Sequence, residues 1–159
     1  MKIAVIGAGA IGGLICGYLK NKGEDVILIG HADSIQPIKE NGLKISGVRG
    51  NFNLRIDVAE KLTAEPGLVI LAVKTQDLDT AIKNNLDFLK GAVVLTTQNG
   101  VQADNIAAKY ISKENIISSI VMFGATYLEA GKVVHNFEGN WVIGKISGGA
   151  DEKLVLIQF

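Results

Sequence analysis

The chain has 159 residues, enough for one domain with its own core, and its 48% hydrophobic and 20% charged content excludes a disordered chain. Its 16 Lys and Arg balance 16 Asp and Glu with no basic block, which argues against nucleic acid or a membrane surface as partner. No apolar run approaches the roughly 18 residues of a membrane span, and glycines interrupt the first apolar run too early for a secretory signal.

Strand-like runs and helical patterns alternate from the start. Residues 2–6 read as a first strand, leading through Gly7-Ala8-Gly9-Ala10-Ile11-Gly12-Gly13 into a helical pattern over residues 11–22. Residues 25–29 are a second strand, entered from Gly23. A short helix is predicted over 34–41, capped by Asp33 or Ser34 and stopped by Gly42. From Leu43 to Ile56, apolar and polar residues alternate around Gly47-Val48-Arg49-Gly50-Asn51, which predicts a hairpin or a pair of short strands. Residues 68–73 form a continuous apolar strand, as in a sheet covered on both faces. A helix over 77–89, a buried strand over 92–96, a helix over 102–110 and a strand over 116–122 follow. After Gly124 the extended runs at 126–128, 132–137 and 140–145 predict an antiparallel meander that finishes the sheet. Residues 147–149 read as a loop, and 151–159 begin a helix-like pattern. The alternation predicts an α/β fold: a Rossmann-type, doubly wound, mainly parallel sheet with right-handed crossovers and an antiparallel C-terminal extension.

The glycine run carries the chemistry. An apolar strand before Gly-x-Gly-x-x-Gly and a helix after it is the pattern that binds a dinucleotide pyrophosphate. Gly7 permits the tight turn, Gly9 keeps side-chain atoms away from the phosphate, and Gly12 lets helix and sheet pack closely, with the phosphate on the helix N-terminus. At the tip of the second strand, Gly30-His31-Ala32-Asp33-Ser34 places no acid for a ribose 2′-OH. His31 and Ser34 offer donors to a 2′-phosphate, and Asp33 would repel one. The balance favours NADP, with NAD as the alternative. Lys74 follows an apolar strand directly. It is placed to reach a nicotinamide ribose, a phosphate or an anionic substrate, the alternative being a surface lysine. Asn99, at the tip of the next strand, can donate and accept at once, which suits holding a hydroxyl, although Asn-Gly also makes an ordinary turn. The single cysteine, Cys16, reads as a small buried apolar side chain and suits a reducing cytoplasm. Two histidines, His31 and His135, without a cysteine cluster make no recognisable metal site.

Together these segments resemble the ketopantoate reductase (2-dehydropantoate 2-reductase) family over the whole chain. The resemblance rests on the glycine run, Asn41-Gly42-Leu43, Ala72-Val73-Lys74-Thr75-Gln76, Gln98-Asn99-Gly100-Val101, Gly124-Ala125-Thr126 and Gly131-Lys132-Val133-Val134-His135. It implies NADPH-dependent reduction of ketopantoate to pantoate, on the route to pantothenate and coenzyme A. It also implies that Lys74 and Asn99 contact cofactor or substrate, and that Ala125 lies near the nicotinamide. The candidate cofactor residues are therefore Gly7, Ala8, Gly9, Ala10, Ile11, Gly12, His31, Lys74, Gln76, Asn99 and Ala125, with Lys74 and Asn99 also facing substrate. The family's usual arginine is replaced by His31, which lacks its permanent charge and bidentate fork.

The family also has a second, helical domain that carries its catalytic lysine, and this chain stops at Phe159 before it. Residues 1–147 are expected to be the dinucleotide-binding domain and 148–159 the start of a linker or helix towards the second. No catalytic residue is expected within the chain: Lys153 is not promoted to that role, and His135 reads as a strand residue. The chain alone is expected to bind cofactor without turnover, and Leu154, Val155, Ile157 and Phe159 to leave apolar surface that invites self-association. The alternatives are a stand-alone nucleotide-binding or redox-sensing module, or a reductase of another 2-keto acid.

Overall fold

Every residue of the first strand, β1 (Ile3–Ile6), is buried, yet successive side chains of a strand point to opposite faces. Ile3 and Val5 join the core on one side of the sheet, and Ala4 and Ile6 the core on the other. The sheet therefore needs a layer on each face. The computed structural model describes residues 1–146 and the strand backbone at 156–158. After β1 come α1 (Ala10–Asn21), β2 (Val26–Ile29), α2 (Ala32–Asn41), β3 (Leu43–Gly47), β4 (Phe52–Leu54), β5 (Asp57–Ala59), β6 (Leu68–Leu71), α3 (Leu78–Asn85) and β7 (Val93–Thr96). The chain continues through α4 (Gln102–Ala107), β8 (Ile116–Val121), β9 (Gly124–Glu129), β10 (Lys132–Phe137), β11 (Asn140–Lys145) and β12 (Leu156–Gln158).

The main sheet has eight strands in the order β12-β11-β8-β7-β6-β1-β2-β5. The six from β8 to β5 are parallel. β11 runs antiparallel to β8, and β12 antiparallel to β11. This is the doubly wound, Rossmann-type sheet with an antiparallel extension that the sequence pattern predicts. Its order reverses at β1, which has β2 on one side and β6 on the other. A ligand cleft belongs at the carboxyl ends of the strands there.

The predicted meander is corrected by the structure. Of its three runs only β11 joins the main sheet. β9 and β10 pair with the hairpin β3–β4 in a second sheet of order β4-β3-β10-β9, with β3 and β10 parallel. The reason is α1. Its Leu14, Ile15 and Cys16 share one core with Leu28 of the main sheet and with Leu43, Ile45 and Val133 of the second. A helix so apolar on both sides has to be covered twice. At Gly17 the missing side chain leaves room for the Ile45 Cδ1 methyl, so the second sheet packs closely on α1 there. On the other face, α3 and α4 cover the sheet through Leu78, Ile82, Ala103 and Ala107.

Three local expectations also change. Residues 57–59 form β5, a parallel edge strand on β2 that the alternation did not reveal. Helix α2 starts at Ala32 with His31 at its N-cap, rather than at Ser34; the Ser34 hydroxyl donates to Asp33 at 3.3 Å instead of capping. Within the predicted C-terminal helix, residues 156–158 are strand β12. The rest of that segment, including the 147/148 boundary, Lys153 and the side chains of Leu154, Val155, Ile157 and Phe159, lies outside the described residues. Among the described residues no helix is long and apolar enough to cross a membrane.

One polar pair sits between α1 and the second sheet. His135, 1% exposed on β10, shares a 2.7 Å hydrogen bond through Nδ1 with the Tyr18 hydroxyl of α1. Burial holds its imidazole below the usual histidine value; a backbone hydrogen bond with Phe137 opposes this, Arg49 acts in the same direction as burial, and Glu138 acts against it. The unfolded chain therefore takes up a proton at this residue before the folded one does. The stability it contributes is complete above the unfolded value of about 6.5 and is lost as pH falls through and below it. The urea midpoint is expected to be lower at pH 5.5 than at pH 7.5. His135→Gln should flatten that difference, and an unchanged difference would assign it to other groups.

Candidate functional site

The turn from β1 into α1 is built on Gly7. Its φ is +122°, and a Cβ there would lie 2.7 Å from Ala72 C and Val73 N. The glycine loop thus rests directly on the end of β6. Gly12 is equally constrained: a Cβ would lie 1.9 Å from the Gly7 carbonyl oxygen and 3.0 Å from Ala72 Cβ. Gly9 is different. It is exposed, its backbone is extended at φ −84° and ψ −163°, and a Cβ would have nothing within 4 Å. Nothing in the fold requires glycine at that position. The open space lies at the N-cap of α1, where no side chain caps the helix and no acid occupies the first turn. Unpaired N–H groups and the positive end of the helix dipole face it, which is the arrangement that binds a phosphate. Ala8, Ala10 and Ile11 complete the loop. The tip of β2 closes against it: a Cβ on Gly30 would lie 2.8 Å from Ala8 Cβ.

Beyond Gly30, exposed His31 is the N-cap of the ten-residue α2, whose N-terminus has no side-chain cap and carries Asp33 in its first turn. Lys74 follows the end of β6, exposed, and starts the 3-10 turn Thr75–Asp77 in which exposed Gln76 lies. Among the described residues no acid is paired with Lys74. Asn99, after β7, spends both halves of its amide inside the fold. Nδ2 donates to Val121 O at 3.1 Å, and Oδ1 accepts from Val121 N at 2.9 Å. It joins the tip of β7 to the end of β8, a structural task that the sequence does not reveal. Ala125 is half-buried on β9, opposite His135 in register and packed on the core under α1. The structure therefore places the glycine loop, His31, Lys74, Gln76 and Asn99 along one edge of the main sheet, at the tips of β1, β2, β6 and β7. Ala125 comes from the second sheet.

Two residues escaped the sequence reading. Gln98 Nε2 donates to Leu71 O at 3.0 Å and to Val73 O at 2.6 Å, while its Oε1 is buried without a hydrogen-bond partner. Asp104, on the first turn of α4, accepts from Thr96 Oγ1 at 2.7 Å and Ser118 Oγ at 2.6 Å, anchoring that helix under β7 and β8. The signal for Gln98 was adjacency to Asn99; nothing in the sequence shows which carbonyls its amide reaches. Cys16 is fully buried in the core, and burial pushes its thiol up to about 12, so it is an inert apolar filler. Among the described residues, no three His, Cys, Asp or Glu side chains gather to hold a metal.

The chain is similar to known proteins in sequence and fold. Residues 3–148 match the family described as ketopantoate reductase PanE/ApbA. A 2-dehydropantoate 2-reductase of Pyrococcus abyssi is 35% identical over 153 residues, which are 96% of this chain and 50% of that protein. One from Pyrococcus horikoshii is 36% identical over 155 residues, again 50% of its length. The chain thus spans about half the length of the curated relatives it matches. The crystal structure of 2-dehydropantoate 2-reductase from Geobacter metallireducens superimposes with a TM-score of 0.87 at 26% identity, covering 96% of this chain and 52% of that one. The ternary structure of D-mandelate dehydrogenase with NADH and anilino(oxo)acetate gives 0.78 at 28% identity, covering 90% and 47%.

Proposed function

The chain belongs to the ketopantoate reductase family, and from that premise we propose that residues 1–147 are the NADP(H)-binding domain of an oxidoreductase that reduces ketopantoate to pantoate. The observation that carries the reading is Gly9: the one glycine of the motif with free space at its Cβ position, set at an uncapped helix N-terminus. The N–H groups facing that space would hold a pyrophosphate by donating to its oxygens. Gly7, Ala8, Ala10, Ile11 and Gly12 shape the loop around it. Lys74 offers a cation to the nicotinamide ribose or a substrate carboxylate. Asn99 offers the same groups whatever its amide does not give to Val121, and Ala125 lines the nicotinamide end.

When bound, the cofactor supplies hydride to the ketone carbon. The new alkoxide needs a proton, and general acid catalysis of this kind contributes about 10²–10⁴-fold. His135 is not placed to give it, being buried between α1 and the second sheet. We assign the donor to the half of the relatives that this chain does not match.

The choice of NADP over NAD rests on the tip of β2. A 2′-phosphate would meet the uncapped N-terminus of α2 together with His31 and Ser34, with Asp33 opposing. Parallel calorimetric titrations test this. NADPH is expected to bind more tightly than NADH. His31→Arg, which adds a permanent charge and a fork, should tighten NADPH by about threefold to tenfold, because an exposed charge-assisted contact gives only part of its full worth, and should leave NADH unchanged. Failure of the chain to bind either dinucleotide would overturn the functional reading. Tighter binding of NADH would overturn the assignment of NADP alone.

A further inference from the structure

We propose that Gln98 is a positioning residue: its carboxamide fixes the Val73–Lys74 peptide and thereby presents the Lys74 ammonium to the cleft. This rests on the reading of that cleft as a nicotinamide-dinucleotide site. The β6–β7 ladder ends at the pair Leu71 and Thr96, and on the β1 side the last bond is from Ala72 N to Ile6 O at 2.8 Å. Past that point the sheet offers Val73 O no strand partner. Gln98 supplies one, donating from Nε2 at 2.6 Å. The carbonyl it holds belongs to the same peptide unit as the nitrogen of Lys74. The bond therefore sets the plane from which the lysine departs.

The other contact of Gln98, to Leu71 O, is duplicated. Thr97 N reaches that oxygen at 3.2 Å and Thr97 Oγ1 at 3.0 Å. The bond to Val73 O is the distinctive one. The preceding peptide, Ala72–Val73, is backed by Gly7, where a Cβ would lie 2.7 Å from Ala72 C and Val73 N. Val73 thus has its N-terminal peptide against the glycine loop and its C-terminal peptide on the Gln98 amide, and Lys74 leaves the latter in an extended conformation at φ −65° and ψ 151°. The orientation of the carboxamide is unambiguous, because both neighbours are carbonyl oxygens and only the nitrogen can donate to them. Its Oε1 is left buried and unpartnered. Such an acceptor is costly, and a fold keeps one where another task requires the group.

The test is a double-mutant cycle on NADPH affinity, using Gln98→Met, Lys74→Met and the double variant of the full chain. Gln98→Met keeps the volume and removes both donors. Each single change is expected to weaken NADPH about tenfold, and the double variant to bind within twofold of Lys74→Met, because Gln98 acts through the lysine. Both single variants should lose about the same part of the salt dependence of binding, a readout that a purely structural strut would leave in place. Should Gln98→Met fold poorly, Gln98→Glu tests the same idea. Ionised, the carboxylate would repel the two carbonyls; protonated, it can donate to Val73 O. NADPH affinity relative to wild type should then be low at pH 8 and recover towards pH 5.5. Additive losses in the cycle, an affinity of Gln98→Met within twofold of wild type, or a pH-independent deficit in Gln98→Glu would overturn the proposal alone. A wild-type chain that binds no nicotinamide dinucleotide would overturn the reading of the cleft together with it.

Discussion

Replacing Gly9 by valine is expected to abolish NADPH binding, by at least a hundredfold in affinity, while the chain stays folded. The backbone of Gly9 is extended and its Cβ position is open on all sides, so the substitution meets no clash in the free protein. Its cost is that of a poor N-cap residue, about 1 kcal/mol, or a fall of about 2–4 °C in melting temperature for a domain of this size. The effect on the ligand is of another order. The valine methyls would stand where backbone N–H groups and pyrophosphate must meet within about 3 Å, and would remove the contact rather than weaken it. Calorimetric titration and thermal melting read the two effects separately. Binding within threefold of wild type would show that the glycine loop is structural and would remove the observation on which the functional reading stands.

Gly12→Ala is expected to do the reverse and damage the fold first. The added methyl would lie 1.9 Å from the Gly7 carbonyl oxygen and 3.0 Å from Ala72 Cβ. A backbone oxygen at the start of the same turn cannot swing aside like the end of a side chain, so α1 has to lift from β1 and β6. Overpacking of this kind costs about 1–3 kcal/mol and sometimes more, partly offset by the roughly 1 kcal/mol that alanine gains over glycine in a helix. A rigid backbone obstacle puts this site at the upper end, with a net loss of about 2 kcal/mol or more, and a melting temperature lower by about 4–8 °C. NADPH binding should weaken as a consequence, because α1 carries the phosphate-facing N–H groups. A variant that melts at or above wild type would show that the close approach of Gly12 to Gly7 is not needed. Two glycines three residues apart in one motif thus have opposite expected phenotypes: Gly9 serves the ligand, and Gly12 serves the fold.

The division between what could be read early and what could not follows the same physics. The continuous apolar runs of β1, β6 and β7 reveal burial on both faces of a strand, and with it the two-sided parallel sheet. The glycine spacing reveals the loop, because the turn from strand to helix is local, although the missing Cβ atoms of Gly7 and Gly12 also make room for Ala72 and Val73, far along the chain. The left-handed Gly42 at the end of α2 is legible for the same reason. Lys74 and Asn99 could be placed at strand tips from their position after apolar runs. Each is indeed exposed at an end of the main sheet, and their roles in binding stand as proposals for the titrations above.

What the pattern could not show was partnership. β9, β10 and β11 have the same local texture, yet β11 completes the main sheet while β9 and β10 build a second one with β3 and β4. Periodicity states that a strand has a face to bury, and is silent on which strand will bury it. That was decided by α1, apolar on two sides and short of a side chain at Gly17. β5 and β12 are three-residue edge strands, too short for any period to register. Side-chain hydrogen bonds were hidden for the same reason. Asn99 was read as a ligand-facing amide, but its partner, Val121, lies 22 residues away along the chain. Gln98 was passed over because its partners end a different strand. The fold class, the glycine loop and the strand tips that carry the candidate residues are legible in the order of residues, since they follow from the turn geometry and burial pattern of each segment. Which sheet each late strand joins, and which carbonyls each amide holds, is settled in the packed chain. Both depend on groups far apart in sequence meeting at hydrogen-bond distance, and no local pattern records such a meeting.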